Sequence, residues 1–142
     1  MKASKTLIEA IKGFEGLRLT AYKDSAGVYT IAYGHTGGVK PGQKITQKQA
    51  EDYLMQDLAK VEEQVNALGV CKTQPQADAL YYFCYNLGIG NLNRSTLLKK
   101  IKQGAPTAQI QAEFRKWVNA GGKKLPGLVK RREWEAKRWS EK

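Results

Sequence analysis

Glu15, Asp24 and Thr30 fall within one short run, GFEGLRLTAYKDSAGVYTIAYGHT, at residues 13–36. Two carboxyl groups and a hydroxyl suit the cleavage of a glycosidic bond. One carboxylic acid gives a proton to the leaving oxygen, and a second carboxylate activates water or attacks the sugar. The two roles need unlike surroundings so that one group holds its proton and the other does not. Apolar Phe14 and Leu17 flank Glu15, whereas Asp24 opens a polar turn beside Lys23. Each residue also has an ordinary explanation: a solvated charge, a turn former, a strand residue.

Such groups need a rigid local scaffold. Asp24-Ser25-Ala26-Gly27 separates two extended pieces, Arg18 to Tyr22 and Val28 to Tyr33, and predicts a β-hairpin. It would carry Glu15 at its entrance, Asp24 at its tip and Thr30 on its return strand. Upstream, residues 4–12 read as a helix with Leu7, Ile8 and Ile11 on one face. Ser4 suits its start and Gly13 its end, which puts Glu15 just beyond a helix terminus.

Downstream, Thr36 to Gly42 reads as a loop and Thr46-Gln47-Lys48-Gln49 as a capping box. Leu54, Leu58, Val61, Val65 and Leu68 then recur at helical spacing, enough helix to span roughly 30 Å. Pro75 opens a helix that is apolar on nearly every side, the expected centre of a core. Further helices are expected from Asn93 and after Pro106, with a break at Ala120-Gly121-Gly122. The last, LPGLVKRREWEAKRW, is basic and its apolar face is not clean. The order predicts an α+β fold, mostly helical, in one domain over 1–142. A hairpin lobe at about 13–45 would be joined by a connecting helix at about 46–68. The helical lobe would hold about 70–142 and the N-terminal helix.

The spacing of Glu15, Asp24 and Thr30, followed by TIAYGHT, resembles the catalytic segment of the phage-type lysozymes, the endolysin muramidases of glycoside hydrolase family 24. YNLGIGNLNRSTLL at 85–98 and WVNAGGKKLPGLVKRREWE at 117–135 are similar to the far groove wall and C-terminal stretch of that family. One departure is Ala32, where the family more often has Gly; its methyl group crowds the strand but removes no chemistry. The resemblance implies a lysozyme-like, two-lobed fold. It also implies hydrolysis of the β-1,4 bond between N-acetylmuramic acid and N-acetylglucosamine, with host cell lysis as the outcome. Glu15 would be the general acid. Asp24 and Thr30 would place a water on the opposite sugar face, an inverting arrangement that asks for carboxyl groups roughly 6.5–9.5 Å apart.

Thr36, Tyr85, Asn86 and Ser95 fall at positions similar to substrate-binding residues of the family. Core packing for Tyr85 and a helix cap for Ser95 stand beside that reading. Arg131 or Arg132 is expected near Glu15, against the alternative of a solvated charge run. His35 is expected to be structural, paired with a carboxylate that the sequence does not identify.

The chain of 142 residues has an apolar fraction of 42% and a net charge of +11, from 24 Lys plus Arg and 13 Asp plus Glu. Such a charge attracts polyanions: nucleic acid, anionic lipid or an anionic cell wall. No apolar run reaches membrane-spanning length, and the N-terminus lacks the apolar stretch of a signal peptide. Synthesis in the bacterial cytoplasm and holin-type release are therefore expected, with action on the wall afterwards. The two cysteines, Cys71 and Cys84, are expected to be free thiols, and a single His leaves no metal set. No metal, cofactor or nucleic acid is required, the partner is the peptidoglycan glycan chain, and a monomer is expected. The competing readings are a basic module that binds nucleic acid or anionic surfaces, a lytic transglycosylase, and an inactive relative that binds wall without cutting.

Overall fold

The computed structural model describes residues 1–142. Helix α1 (Lys5–Glu15) begins where Ser4 Oγ accepts the Leu7 N–H at 3.1 Å, and ends at Gly16, whose φ is +73°. Gly13 does not stop it. A glycine inside a helix costs only about 1 kcal/mol, and the next turn is held by the Phe14 ring against Tyr82. Glu15 is thus the last residue of the helix rather than a residue beyond it.

Strands β1 (Arg18–Lys23) and β2 (Tyr29–Ala32) pair antiparallel, with Tyr22 opposite Thr30 and an irregularity between Arg18 and Tyr22. The turn between them closes through Asp24 N–H to Val28 O at 2.9 Å and Gly27 N–H to Asp24 O at 3.0 Å. The free edge of β1 is covered by the segment before the next helix: Ala21 donates to Gln43 O, and Ile45 donates to Leu19 O. Past β2 the chain reverses at once, and Ile31 and His35 exchange both backbone hydrogen bonds at 2.9 Å. Within that reversal Ala32 has φ +59° and is buried, the one non-glycine residue with a positive φ. A glycine would therefore suit this position through its backbone conformation, not by relieving crowding in a strand.

Helix α2 (Gln47–Asn66) opens with the expected capping box, Thr46 and Gln49 each accepting the other's backbone N–H. Its buried stripe is Ala50, Leu54, Leu58, Val61 and Val65; Leu68 lies past its end. Helix α3 (Gln74–Leu87) has Thr73 as its cap and Pro75 in its first turn, and is buried from Pro75 to Cys84. It is the hub of the core, packed by α1, α2, α4 (Ile89–Asn93) and the last helix. α4 is an extra turn that the sequence pattern did not reveal. It pushes the start of α5 (Thr96–Lys102) back to Ser95 as cap.

Helix α6 (Thr107–Arg115) ends before Trp117, so the Gly121-Gly122 pair does not break it. Those glycines instead form the two-residue turn of a second small hairpin, β3 (Asn119–Ala120) with β4 (Lys123–Lys124). Their φ values of +59° and +79° suit such a turn. Helix α7 (Pro126–Ser140) packs on α3 and α6. Its two tryptophans diverge: Trp139 is buried against Phe114, while Trp134 is half-buried with an edge of contact on Tyr82. That divergence explains the mixed apolar face. The result is an α+β fold dominated by helix.

Buried Asp78 ties three elements together. Its carboxylate accepts from Ser4 N at 3.1 Å, Ser4 Oγ at 2.5 Å, Gln74 Nε2 at 2.8 Å and Arg138 Nη2 at 2.8 Å. The start of α1 and the end of α7 are thereby fixed to α3. That fixes both the helix that ends in Glu15 and the helix that carries Arg131.

Candidate active site

Glu15 leaves the end of α1 and is held by two donors on one oxygen. Tyr82 on α3 donates its hydroxyl to Oε2 at 2.6 Å, and Arg131 on α7 donates Nε to the same Oε2 at 2.7 Å. The Glu15 side chain is 12% exposed and that of Arg131 17%. Arg131 is anchored further by Nη1 to Gly127 O at 2.9 Å and Nη2 to Phe14 O at 3.2 Å. Gly127 leaves room for this: a Cβ there would sit 3.0 Å from Arg131 Nη1. The other carboxyl oxygen, Oε1, faces Gly34, where a Cβ would lie 3.1 Å from it. With φ at +83°, Gly34 combines this close approach with a backbone conformation that glycine adopts readily. Burial and the neighbouring Glu15 carboxylate both push the Tyr82 hydroxyl far above its ordinary range, so it keeps its proton and donates a hydrogen bond to Glu15.

Asp24 sits in the hairpin turn. Its Oδ1 accepts the Ala26 and Val28 N–H groups at 2.8 and 2.9 Å, a local turn that fixes the carboxylate and does not use Oδ2. Thr30, buried on β2, donates Oγ1 to Val28 O at 3.1 Å. Glu15, Asp24 and Thr30 line one cavity of about 200 Å³ together with Tyr22, Gly34, Thr36, Tyr85 and Asn86.

Tyr85 is fixed by its hydroxyl on Tyr33 O at 2.5 Å. Asn86 is fixed by Arg132 Nη2 donating to its Oδ1 at 2.8 Å, which leaves the amide N–H groups for the cavity. Of the two arginines weighed for Glu15, Arg131 makes the contact. Arg132 is wholly buried and pairs with Glu135 at 2.7 Å. Burial pushes the Glu135 carboxyl up to about 8 in spite of that partner.

Ser95 stands apart from the cavity. It is buried, its Oγ donates to Leu92 O at 2.6 Å and accepts the Leu98 N–H at 3.0 Å, so its one donor and one of its acceptor positions serve the start of α5. His35 has its carboxylate: Nδ1 lies 2.8 Å from Asp57 Oδ2 on α2, and Nε2 lies 2.9 Å from Gly37 O. The ring stacks on Tyr53 at 4.2 Å. A second cavity of about 350 Å³, lined by His35, Asp57 and Lys60 among others, shares Gly34, Thr36 and Tyr85 with the first and prolongs it into a groove.

The phage lysozyme family matches residues 12–135, a span that contains every residue of this cavity. The chain belongs to that family. An endolysin of Bacillus phage PZA is 48% identical over 139 residues, covering 95% of this chain and 54% of that protein. This phage lysozyme therefore spans about half the length of that relative. An endolysin of Acyrthosiphon pisum secondary endosymbiont phage 1 is 44% identical over 140 residues, covering 95% of each. Among solved structures, the muramidase domain of SpmX from Asticaccaulis excentricus superposes with a TM-score of 0.88 at 33% identity, over 99% of both chains. The fold is lysozyme-like, and the enzyme is a lysozyme-type glycosidase of the peptidoglycan-lytic endolysins.

Tyr82 is the site residue that sequence reasoning missed. It lies in a helix apolar on nearly every side, where a tyrosine reads as packing. The one available signal was its polar atom: a buried tyrosine hydroxyl needs a partner.

Proposed function

We propose that this phage lysozyme hydrolyses the β-1,4 bond between N-acetylmuramic acid and N-acetylglucosamine by an inverting route of the glycoside hydrolase family 24 type. The observation that supports this reading is that Glu15, Asp24 and Thr30 line one cavity together with Tyr85 and Asn86. Residues 13–45 and the helices after α2 act as two lobes, with the glycan chain between them.

Glu15 serves as the general acid. Both of its protein donors fall on Oε2, so the proton to be transferred resides on Oε1, the oxygen on the Gly34 side. Asp24 keeps Oδ2 free because its turn bonds use Oδ1. With Thr30 Oγ1 it orients the attacking water on the opposite face of the sugar. As the leaving oxygen takes the Glu15 proton, the water adds to the anomeric carbon and loses a proton to Asp24. Thr36, Tyr85 and Asn86 supply hydroxyl, aromatic and amide surface to the sugar rings. No helix is long and apolar enough to cross a membrane. Synthesis in the bacterial cytoplasm, passage through a holin-type pore and action as a monomer complete the proposal.

The test is incubation of purified peptidoglycan with the parent, Glu15→Gln and Asp24→Ala, following reducing ends and the mass and anomeric form of the fragments. The parent releases reducing ends of inverted configuration, and both folded variants lose at least 100-fold in rate, on the order expected for removing an acid or base. Anhydro-ended fragments would instead indicate a transglycosylase. Full activity in Glu15→Gln would end the assignment.

A further inference from the structure

A further cavity lies outside the catalytic groove. It has a volume of about 610 Å³ and is bounded by α6, α7 and the end of α1. From α7 it takes Lys130, Glu133, Trp134 and Lys137, one helical stripe at i, i+3, i+4 and i+7. Phe14 closes one end, and Gln111 and Arg115 come from α6. Arg115 and Glu133 pair with each other at 2.8 Å, which leaves Lys130 and Lys137 as lining cations without a carboxylate partner.

The half-buried Trp134 is an apolar platform between those two cations. A flat aromatic surface flanked by cations fits a sugar ring that carries carboxylates beside it. It fits a bare lipid tail or a neutral glycan less well, since the first leaves the cations unused and the second has no counter-charge. The net charge of +11 attracts an anionic polymer to this face from a distance. The cavity also backs onto the acid: Trp134 packs its edge on Tyr82 with ring centres 5.8 Å apart, and the Tyr82 hydroxyl holds Glu15.

We propose that this α6–α7 groove is a second glycan-binding site. It takes an anionic strand of the same wall polymer, distinct from the strand in the catalytic groove, and keeps the enzyme on an insoluble substrate between cuts. The site rests on the wall-hydrolase reading above. The experiment is therefore run in two arms, so that failure of one is not failure of the other.

In the binding arm, Glu15→Gln protein, unable to cut, is sedimented with purified peptidoglycan sacculi. It is compared with the same protein carrying Lys130→Glu and Lys137→Glu, and with a control carrying Lys99→Glu and Lys102→Glu on exposed α5 positions. Equal charge change in the control separates a site from general attraction. The expected result is about a tenfold weaker apparent Kd for the groove variant and less than a twofold change for the control. In the activity arm, with Glu15 intact, the groove variant cuts a short soluble peptidoglycan oligosaccharide at the parental rate and sacculi several-fold more slowly.

Equal weakening in the two lysine pairs overturns the proposal. So does unchanged sacculus binding, or loss confined to DNA or to vesicles of anionic phospholipid. Absence of cutting by the parent on both substrates refutes the hydrolase reading on which the proposal rests, and the proposal falls with it.

Discussion

Ala32 offers a test of the backbone beside the catalytic groove. It holds φ at +59° and is 1% exposed, between Ile31 and Tyr33. The next residues matter to the site: Tyr33 O takes the Tyr85 hydroxyl, and Gly34 lies against Glu15 Oε1. Replacing Ala32 with glycine removes one buried methyl, worth about 0.8 kcal/mol. It also frees the unfolded chain, costing a further 0.5–1 kcal/mol or so. Against this, an L-residue in the left-handed region carries a penalty of about 1–2 kcal/mol that glycine escapes. The terms nearly cancel, so Ala32→Gly should change stability by less than about 1 kcal/mol.

Ala79 is the matched control. It is 0% exposed in α3, loses the same methyl and the same chain entropy, and recovers nothing. Ala79→Gly should therefore cost about 1.3–1.8 kcal/mol. Urea unfolding of the two variants, read as a midpoint shift at constant slope, should separate them by about 1–2 kcal/mol. Ala32→Gly should keep full activity on sacculi. An equal loss of stability in both variants would refute the argument that Ala32 is conformationally strained.

Other expectations concern the acid and the buried groups. Tyr82→Phe keeps the ring packed on Phe14 and Trp134 but removes a donor to Glu15. It should lower stability by about 1.5–3 kcal/mol at most, as for a bond to a charged group, and cut the rate of reducing-end release by tenfold or more while the fold persists by circular dichroism. Glu135 is raised from its ordinary 4.5 to about 8 by burial. A raised carboxyl means that the folded state binds the extra proton, so this stabilising contribution is complete below about 4.5 and is lost as the pH climbs through 8. Glu135→Gln should flatten the fall in melting temperature over that window; an unchanged slope would assign the fall to other groups. Burial raises the Cys71 thiol to about 11 and that of Cys84 to about 12. A thiol reagent at pH 8 should therefore modify buried Cys84 and half-buried Cys71 far more slowly in the folded enzyme than in guanidinium, while rapid labelling of native Cys84 would contradict its burial.

Local grammar made much of this molecule legible. The capping box at Thr46 and Gln49, the proline at the head of α3 and the Asp24 turn each follow from one residue bonding its near neighbours. The catalytic run was legible for the same reason: its residues lie close in sequence on one helix end and one hairpin. What escaped depends on contacts between distant elements. Tyr82 meets Glu15 across 67 residues of sequence, Asp57 meets His35 across 22, and the choice of Arg131 over Arg132, left open by the sequence, is decided by a contact across 116. No periodicity records such a meeting. Ser95 runs in the opposite direction: its local reading, a helix cap, is the one its hydrogen bonds fill, the hydroxyl donating to Leu92 O and accepting the Leu98 N–H.

Asp78 shows why the long-range contacts decide function rather than merely decorate it. By holding Ser4 and Arg138 on α3 it sets where α1 ends and how α7 lies, and those two helices deliver Glu15 and Arg131 to the same point. The acid is positioned by a polar contact at the far ends of its helices, a dependence that no reading of the catalytic segment alone contains.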